Sequence, residues 1–145
     1  MKHFPFVIAT LSLVMLAACQ PATPSGERVT IAWGYENKET DDTGKTTADV
    51  SLVITKANGK KHTLPLGSYV GCGSETTPAE GALLTLKCWW AGSGDEFQIR
   101  TDATNVLVIE HRTLDEELLI PAFKTVRTVA LEDGVVIVPV ATDAP

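Results

Sequence analysis

The sequence predicts an all-β protein, a small antiparallel β-sandwich or barrel of about seven to nine short strands with at most one short helix. Three observations carry this. From Val29 onwards apolar and polar residues tend to alternate, the period of a strand with one buried face. Turn signals rich in Gly, Asn and Asp recur between the apolar runs. No segment sustains the three-to-four residue spacing of a long amphipathic helix.

Val29, Ile31 and Trp33 fall on one side of a first strand, and Tyr35 extends it. Residues 36–48 are polar, contain Asp41-Asp42-Thr43-Gly44 and read as a loop. Asp49 to Lys56 is β-branched and apolar, and Lys61 to Leu66 follows after Asn58-Gly59. Asn-Gly between such runs predicts a hairpin, because both central positions of its tightest turn take positive φ. Leu84, Leu86, Cys88 and Trp90 share a face of another strand. Phe97, Ile99 and Thr101 share a face of the next, after Gly92-Ser93-Gly94-Asp95. With Ser93-Gly94 as a two-residue turn, Trp90 would oppose Phe97 and Cys88 would oppose Ile99, both pairs in one core.

Val106 to Ile109 is a further apolar run. Thr113-Leu114-Asp115-Glu116 fits a helix capping box, with Pro121 limiting any helix to a turn or two; it fits a turn between strands equally well. Val126 to Leu131 and Val135 to Val140 flank Glu132-Asp133-Gly134, which predicts a third hairpin. No internal repeat is evident.

The composition, 44% hydrophobic and 21% charged, is that of a folded globular chain, and 145 residues suffice for one domain. The formal charge is −6, with no basic run. Nucleic acid, whose phosphates need clustered Lys and Arg, is not an expected partner.

The N-terminus carries the most specific signal. Lys2 supplies a positive end, Phe4 to Leu16 is apolar apart from Thr10 and Ser12, and the small residues Ala17 and Ala18 precede Cys19. The apolar stretch is shorter than the roughly 20 residues that span a membrane. Leu16-Ala17-Ala18-Cys19 resembles the lipobox of bacterial lipoproteins; the resemblance covers only the first 20 residues. It implies a signal peptide over 1–18, cleavage before Cys19 and acyl chains, palmitate among them, on that cysteine. Removing 1–18 takes away Lys2 and brings the charge from −6 to −7. Gln20, where such proteins carry Asp for inner-membrane retention, implies the outer membrane, facing the periplasm. Residues 19–27 then form a lipidated tether containing Pro21, Pro24 and Ser25-Gly26. Residues 28–141 form one β-rich domain and 142–145 a tail.

With Cys19 lipidated, Cys72 and Cys88 remain as an even pair, and an oxidising periplasm predicts a disulfide between them. Neither sits in a Cys-x-x-Cys motif, and no metal site or cofactor is expected. Gly44-Lys45-Thr46 lacks the first glycine of a phosphate-binding loop, since Glu39 holds that position. His62 and His111 stand in separate segments, and no Gly-x-Ser-x-Gly elbow is present. Glu110, Asp115, Glu116 and Glu117 supply carboxylates whose separation sequence does not give.

One surface invites a functional reading. Trp89 and Trp90 are adjacent on a strand and must point to opposite faces. With Trp90 in the core, Trp89 stands outside among Lys87, Gln98 and Arg100, a candidate binding face. The competing account has Lys87 and Arg100 laying their stems over the ring. A second feature is a basic tip of Lys56, Lys60, Lys61 and His62. The expected role is a non-enzymatic binding or interaction module for an envelope protein or polymer. An envelope hydrolase or transferase with a carboxylate site and a purely structural envelope component are the alternatives. Two carboxylates converging in a deep pocket would favour the enzyme, and an exposed Trp89 the binder.

Overall fold

A computed structural model of the chain describes residues 26–74 and 77–143. The expected signal peptide, Cys19 and most of the tether lie outside the described residues. The fold is a β-sandwich of nine strands in two sheets, and no described residue is helical. The strands are β1 Arg28–Thr40, β2 Thr46–Lys56, β3 Lys61–Val70, β4 Cys72–Ser74, β5 Leu84–Trp90, β6 Ser93–Thr101, β7 Val106–Asp115, β8 Lys124–Ala130 and β9 Val136–Val140. One sheet has the order β3-β2-β1-β9 and the other β4-β5-β6-β7-β8. All neighbours are antiparallel except β1 and β9.

Alternation explains the core. Val29, Ile31 and Trp33 of β1 and Val50, Leu52 and Ile54 of β2 are buried against Leu84, Leu86, Phe97, Ile99, Leu107 and Ile109 of the other sheet. Trp33 spans the two layers. Its ring centre lies 6.4 Å from that of Phe97, and its indole N–H donates to the Thr85 carbonyl at 3.3 Å. Cys72 and Cys88 are direct partners across β4 and β5 and form the expected disulfide.

Several local expectations are corrected. The polar loop after β1 is shorter than predicted, because β1 runs to Thr40 through a bulge between Glu36 and Glu39. The Asn58-Gly59 hairpin forms, but only Gly59 has positive φ. Lys56 and Gly59 close a turn at 2.9 Å, and the Lys56 N–H also donates to Lys60 O at 2.9 Å, a three-residue loop. The turn between β5 and β6 is Ala91-Gly92, at φ 51° and 86°, not Ser93-Gly94. Leu86 therefore opposes Phe97, Leu84 opposes Ile99 and Trp90 opposes Ser93. The turn moves by two residues and the pairing register by four, an even shift that leaves every side chain on its predicted face. Alternation is blind to such a shift.

The capping box at Thr113 forms no helix. β7 continues through Asp115 because Thr113, Leu114 and Asp115 pair with Asp95, Gly94 and Ser93. The third hairpin does not exist. β8 lies at the edge of one sheet, while β9 crosses to the other and pairs parallel with β1, Thr30 beside Val138. Asp133-Gly134 bends the chain, but it joins layers rather than neighbours.

Two other hairpins close alike. Asp41 Oδ1 accepts the N–H groups of Thr43 and Lys45 at 2.9 and 3.0 Å, and Asp102 Oδ1 accepts those of Thr104 and Val106 at 2.8 and 3.0 Å. The Thr43 hydroxyl, then the Lys45 N–H, holds the Asp41 carboxyl below the usual range, the Val106 N–H and the Thr104 hydroxyl do the same for Asp102, and the Asp41 to Thr46 segment is a hairpin turn.

The sandwich has two distinct ends. At the end where Gly26 enters lie the turns at 57–60, 102–105 and 131–135. There Lys56 meets Glu132 at 2.5 Å and Leu131 N–H donates to Asn105 O at 3.1 Å. At the far end, Gly71 N–H donates to Thr46 O at 2.9 Å, Trp89 N–H to Gly71 O at 3.1 Å and Glu116 N–H to Gly92 O at 2.9 Å. Both tryptophans of β5 stand at this far end.

Candidate functional site

Trp89 points to the outer face of the five-stranded sheet, opposite Gly94, and Leu114 follows in the same row. Leu114 is only 6% exposed although it lies on that outer face. Beyond it the chain leaves β7 and crosses towards β8. Trp89, Lys87, Leu114, Glu116, Leu118 and Ile120 together line a notch of about 260 Å³. Three consecutive residues of this crossing are bare: Leu118, Leu119 and Ile120 are 69%, 96% and 60% exposed. Scattered exposed leucines are ordinary, but three consecutive bare aliphatics beside a tryptophan-lined notch are not.

The predicted face is only partly assembled. Lys87 and Trp89 do come together, with the ammonium 5.2 Å from the ring centre, and Trp89 is half-buried rather than exposed, as the competing account anticipated for the lysine. Gln98 and Arg100 are committed elsewhere. Glu110, directly opposite Gln98, receives Gln98 Nε2 at 2.5 Å and the Arg100 guanidinium at 2.6 and 2.9 Å. One row on, Arg112 donates to Glu96 at 2.6 Å and stacks over Phe123 at 4.2 Å. The polar side chains of this part of the sheet are satisfied by one another.

Glu110 is 7% exposed. The Arg100 guanidinium, helped by Gln98 and opposed by burial, holds its carboxyl below the ordinary value of 4.5. Arg100 is half exposed, so solvent screening limits the pair. Glu110→Gln should cost about 1 kcal/mol at neutral pH. A lowered native pKa means that this contribution is complete above about pH 4.5 and is lost as pH falls through the native value. Urea unfolding of both proteins should therefore differ at pH 7 and converge in acid; a gap that persists in acid would show that the substitution acts through packing.

Trp90 corrects the core expectation. It is 39% exposed, not buried against Phe97. It sits on the core-facing side of β5, but at its last residue, where the sheets open. With Tyr69, Ser68, Lys45, Ser93 and Asp95 it lines a cleft of about 350 Å³. Asp95 is engaged by His111 Nε2 at 2.7 Å, and the His111 ring lies 4.7 Å from Phe97.

Of the carboxylates of interest, Asp115 and Glu116 both line the notch beside Trp89. Asp115, Glu116 and Glu117 are exposed along the chain, and Glu110 is held by Arg100. Glu36 and Asp49 do line one cleft of about 250 Å³. There Asn37 donates to Asp49 at 2.6 Å and Ser68 donates to it as well, which lowers its pKa. That environment favours an ionised acceptor, not a proton donor. Among the described residues no group of three His, Cys, Asp or Glu is placed to hold a metal ion. The basic tip is partly neutralised, since Lys56 meets Glu132, while Lys60, Lys61 and His62 are exposed.

No family model, no curated protein and no solved structure matches the chain. The functional reading therefore rests on the residues alone. Sequence reasoning missed residues 118–120. Their signal was present as an aliphatic run between Glu117 and Pro121, in a segment read only as a short helix or a turn between strands.

Proposed function

We propose that this chain is a lipoprotein of the bacterial envelope, anchored through lipid on Cys19 to the outer membrane on its periplasmic side. Its sandwich is a non-enzymatic binding module that docks a protein partner. One observation carries the docking: Leu118, Leu119 and Ile120 lie bare beside Trp89 at the end remote from Gly26. An aliphatic patch in water is unfavourable unless something covers it. The disulfide supports an oxidising compartment and leaves Cys19 as the third cysteine.

Two experiments test the two halves. Cys19→Ser should move the protein from the membrane to the soluble fraction; retention on membranes would sink the anchor. Photo-crosslinking in living cells, with the reactive residue at Leu119, should give a discrete adduct that is absent when it is placed at Lys60. Equal labelling at the two positions, or none at Leu119, would remove the docking assignment.

A further inference from the structure

We infer that the partner presents an aliphatic side chain flanked by Lys or Arg, a chemistry that rests on the docking reading above. The notch holds the aliphatic group. Its floor is Leu114 and the Trp89 ring, and its wall is Leu118 and Ile120. The flanking charge follows from what leads into the wall. Asp115, Glu116 and Glu117 are exposed and consecutive, and Lys87, already over the Trp89 ring, is the one base among the lining residues. An incoming basic segment meets these carboxylates, while an acidic one is repelled.

The other occupants fit less well. A second copy would bring two acidic rims together. An anionic lipid surface would be repelled in the same way. The chain's own tether enters at the opposite end. The eight residues from Cys19 to Gly26, seven steps of chain, reach at most about 25 Å. The 13 residues of β1 alone rise about 40 Å from that end. The C-terminal tail leaves from β9, which belongs to the other sheet.

The test uses the full chain in phosphatidylcholine nanodiscs and two dye-labelled peptides sharing one leucine core, flanked by lysines or by glutamates. Fluorescence anisotropy should show at least tenfold tighter binding of the lysine peptide, weakening as salt rises. Leu118→Ser with Leu119→Ser, both at exposed positions, should weaken it at least tenfold with the net charge unchanged. Glu116→Lys with Glu117→Lys should reverse the preference between peptides. Equal binding of both peptides that still depends on Leu119 would overturn the basic flank and leave docking intact. Lysine-peptide binding indifferent to Leu118 and Leu119 would be attraction to an acidic protein only, and would overturn the notch. Binding of neither peptide, with no crosslink at Leu119, would overturn the docking reading itself. Leu119-dependent bridging of nanodiscs would assign the loop to a second copy. Leu119-dependent quenching of tryptophan emission by brominated lipid would assign it to the bilayer. Either result would overturn the partner proposed.

Discussion

Trp33→Ala should cost about 3–5 kcal/mol, a large share of the stability of a domain this size. Trp33 is 2% exposed and is the largest of the fully buried side chains. It stands mid-sheet in β1, touches Phe97 of the facing sheet and anchors to the Thr85 carbonyl. Truncation leaves a cavity between two sheets whose strands are each tied to neighbours, so the layers cannot collapse to fill it. It also leaves that carbonyl without its donor. Trp33→Phe separates these effects. It keeps an aromatic ring near Phe97, removes the indole N–H and should cost less than the alanine change. Urea titration of all three proteins measures both differences. A loss below about 1 kcal/mol for Trp33→Ala would mean that the two sheets pack far less rigidly than their buried contacts imply.

Replacing both Cys72 and Cys88 by alanine should cost about 3 kcal/mol, in line with the closing of a short loop in the unfolded chain. The sequence separation is 16, and the bond joins the three-residue strand β4 to β5. Its functional consequence is local. Gly71, next to Cys72, accepts the Trp89 N–H at 3.1 Å, and it has φ 61° where a side chain would meet the Trp89 carbonyl. Untying β4 therefore loosens the backbone that carries Trp89. The expected result is a lower unfolding midpoint together with a weaker crosslink at Leu119, under conditions where the protein remains folded. Thermal unfolding with and without reductant measures the first. An unchanged midpoint would show that β4 is held by its ladder alone.

The fold class, the burial of Val29, Ile31, Trp33, Leu84, Leu86, Phe97 and Ile99, and the Cys72–Cys88 pair were legible in the residues. Each depends on a local signal: period-two alternation, or an even cysteine count once Cys19 is set aside. Half of the candidate face was legible as well. Trp89 must oppose Trp90 on any strand, and Lys87 must share its side.

What failed had non-local causes. The register of β5 and β6 is fixed by Ala91-Gly92 taking the two left-handed positions, and alternation cannot detect an even shift such as the four residues found. Trp90 was assigned to the core by its face, but burial also depends on how far the facing sheet extends, and the sheets part beyond Cys88. Gln98 and Arg100 seemed free for a partner until β7 brought Glu110 alongside. β9 was matched to β8 because they are adjacent in sequence, yet the open edge of β1 took it instead.

Sequence alone thus determined which residues face inwards, because a strand's geometry assigns alternate side chains to opposite sides. Only the tertiary structure decided which polar groups are already satisfied and which apolar ones stay bare. Pairing partners and edge exposure arise from strands distant in the chain. Residues 118–120 show the difference: as a string they resemble core, and only the crossing from β7 to β8 leaves them in water beside Trp89.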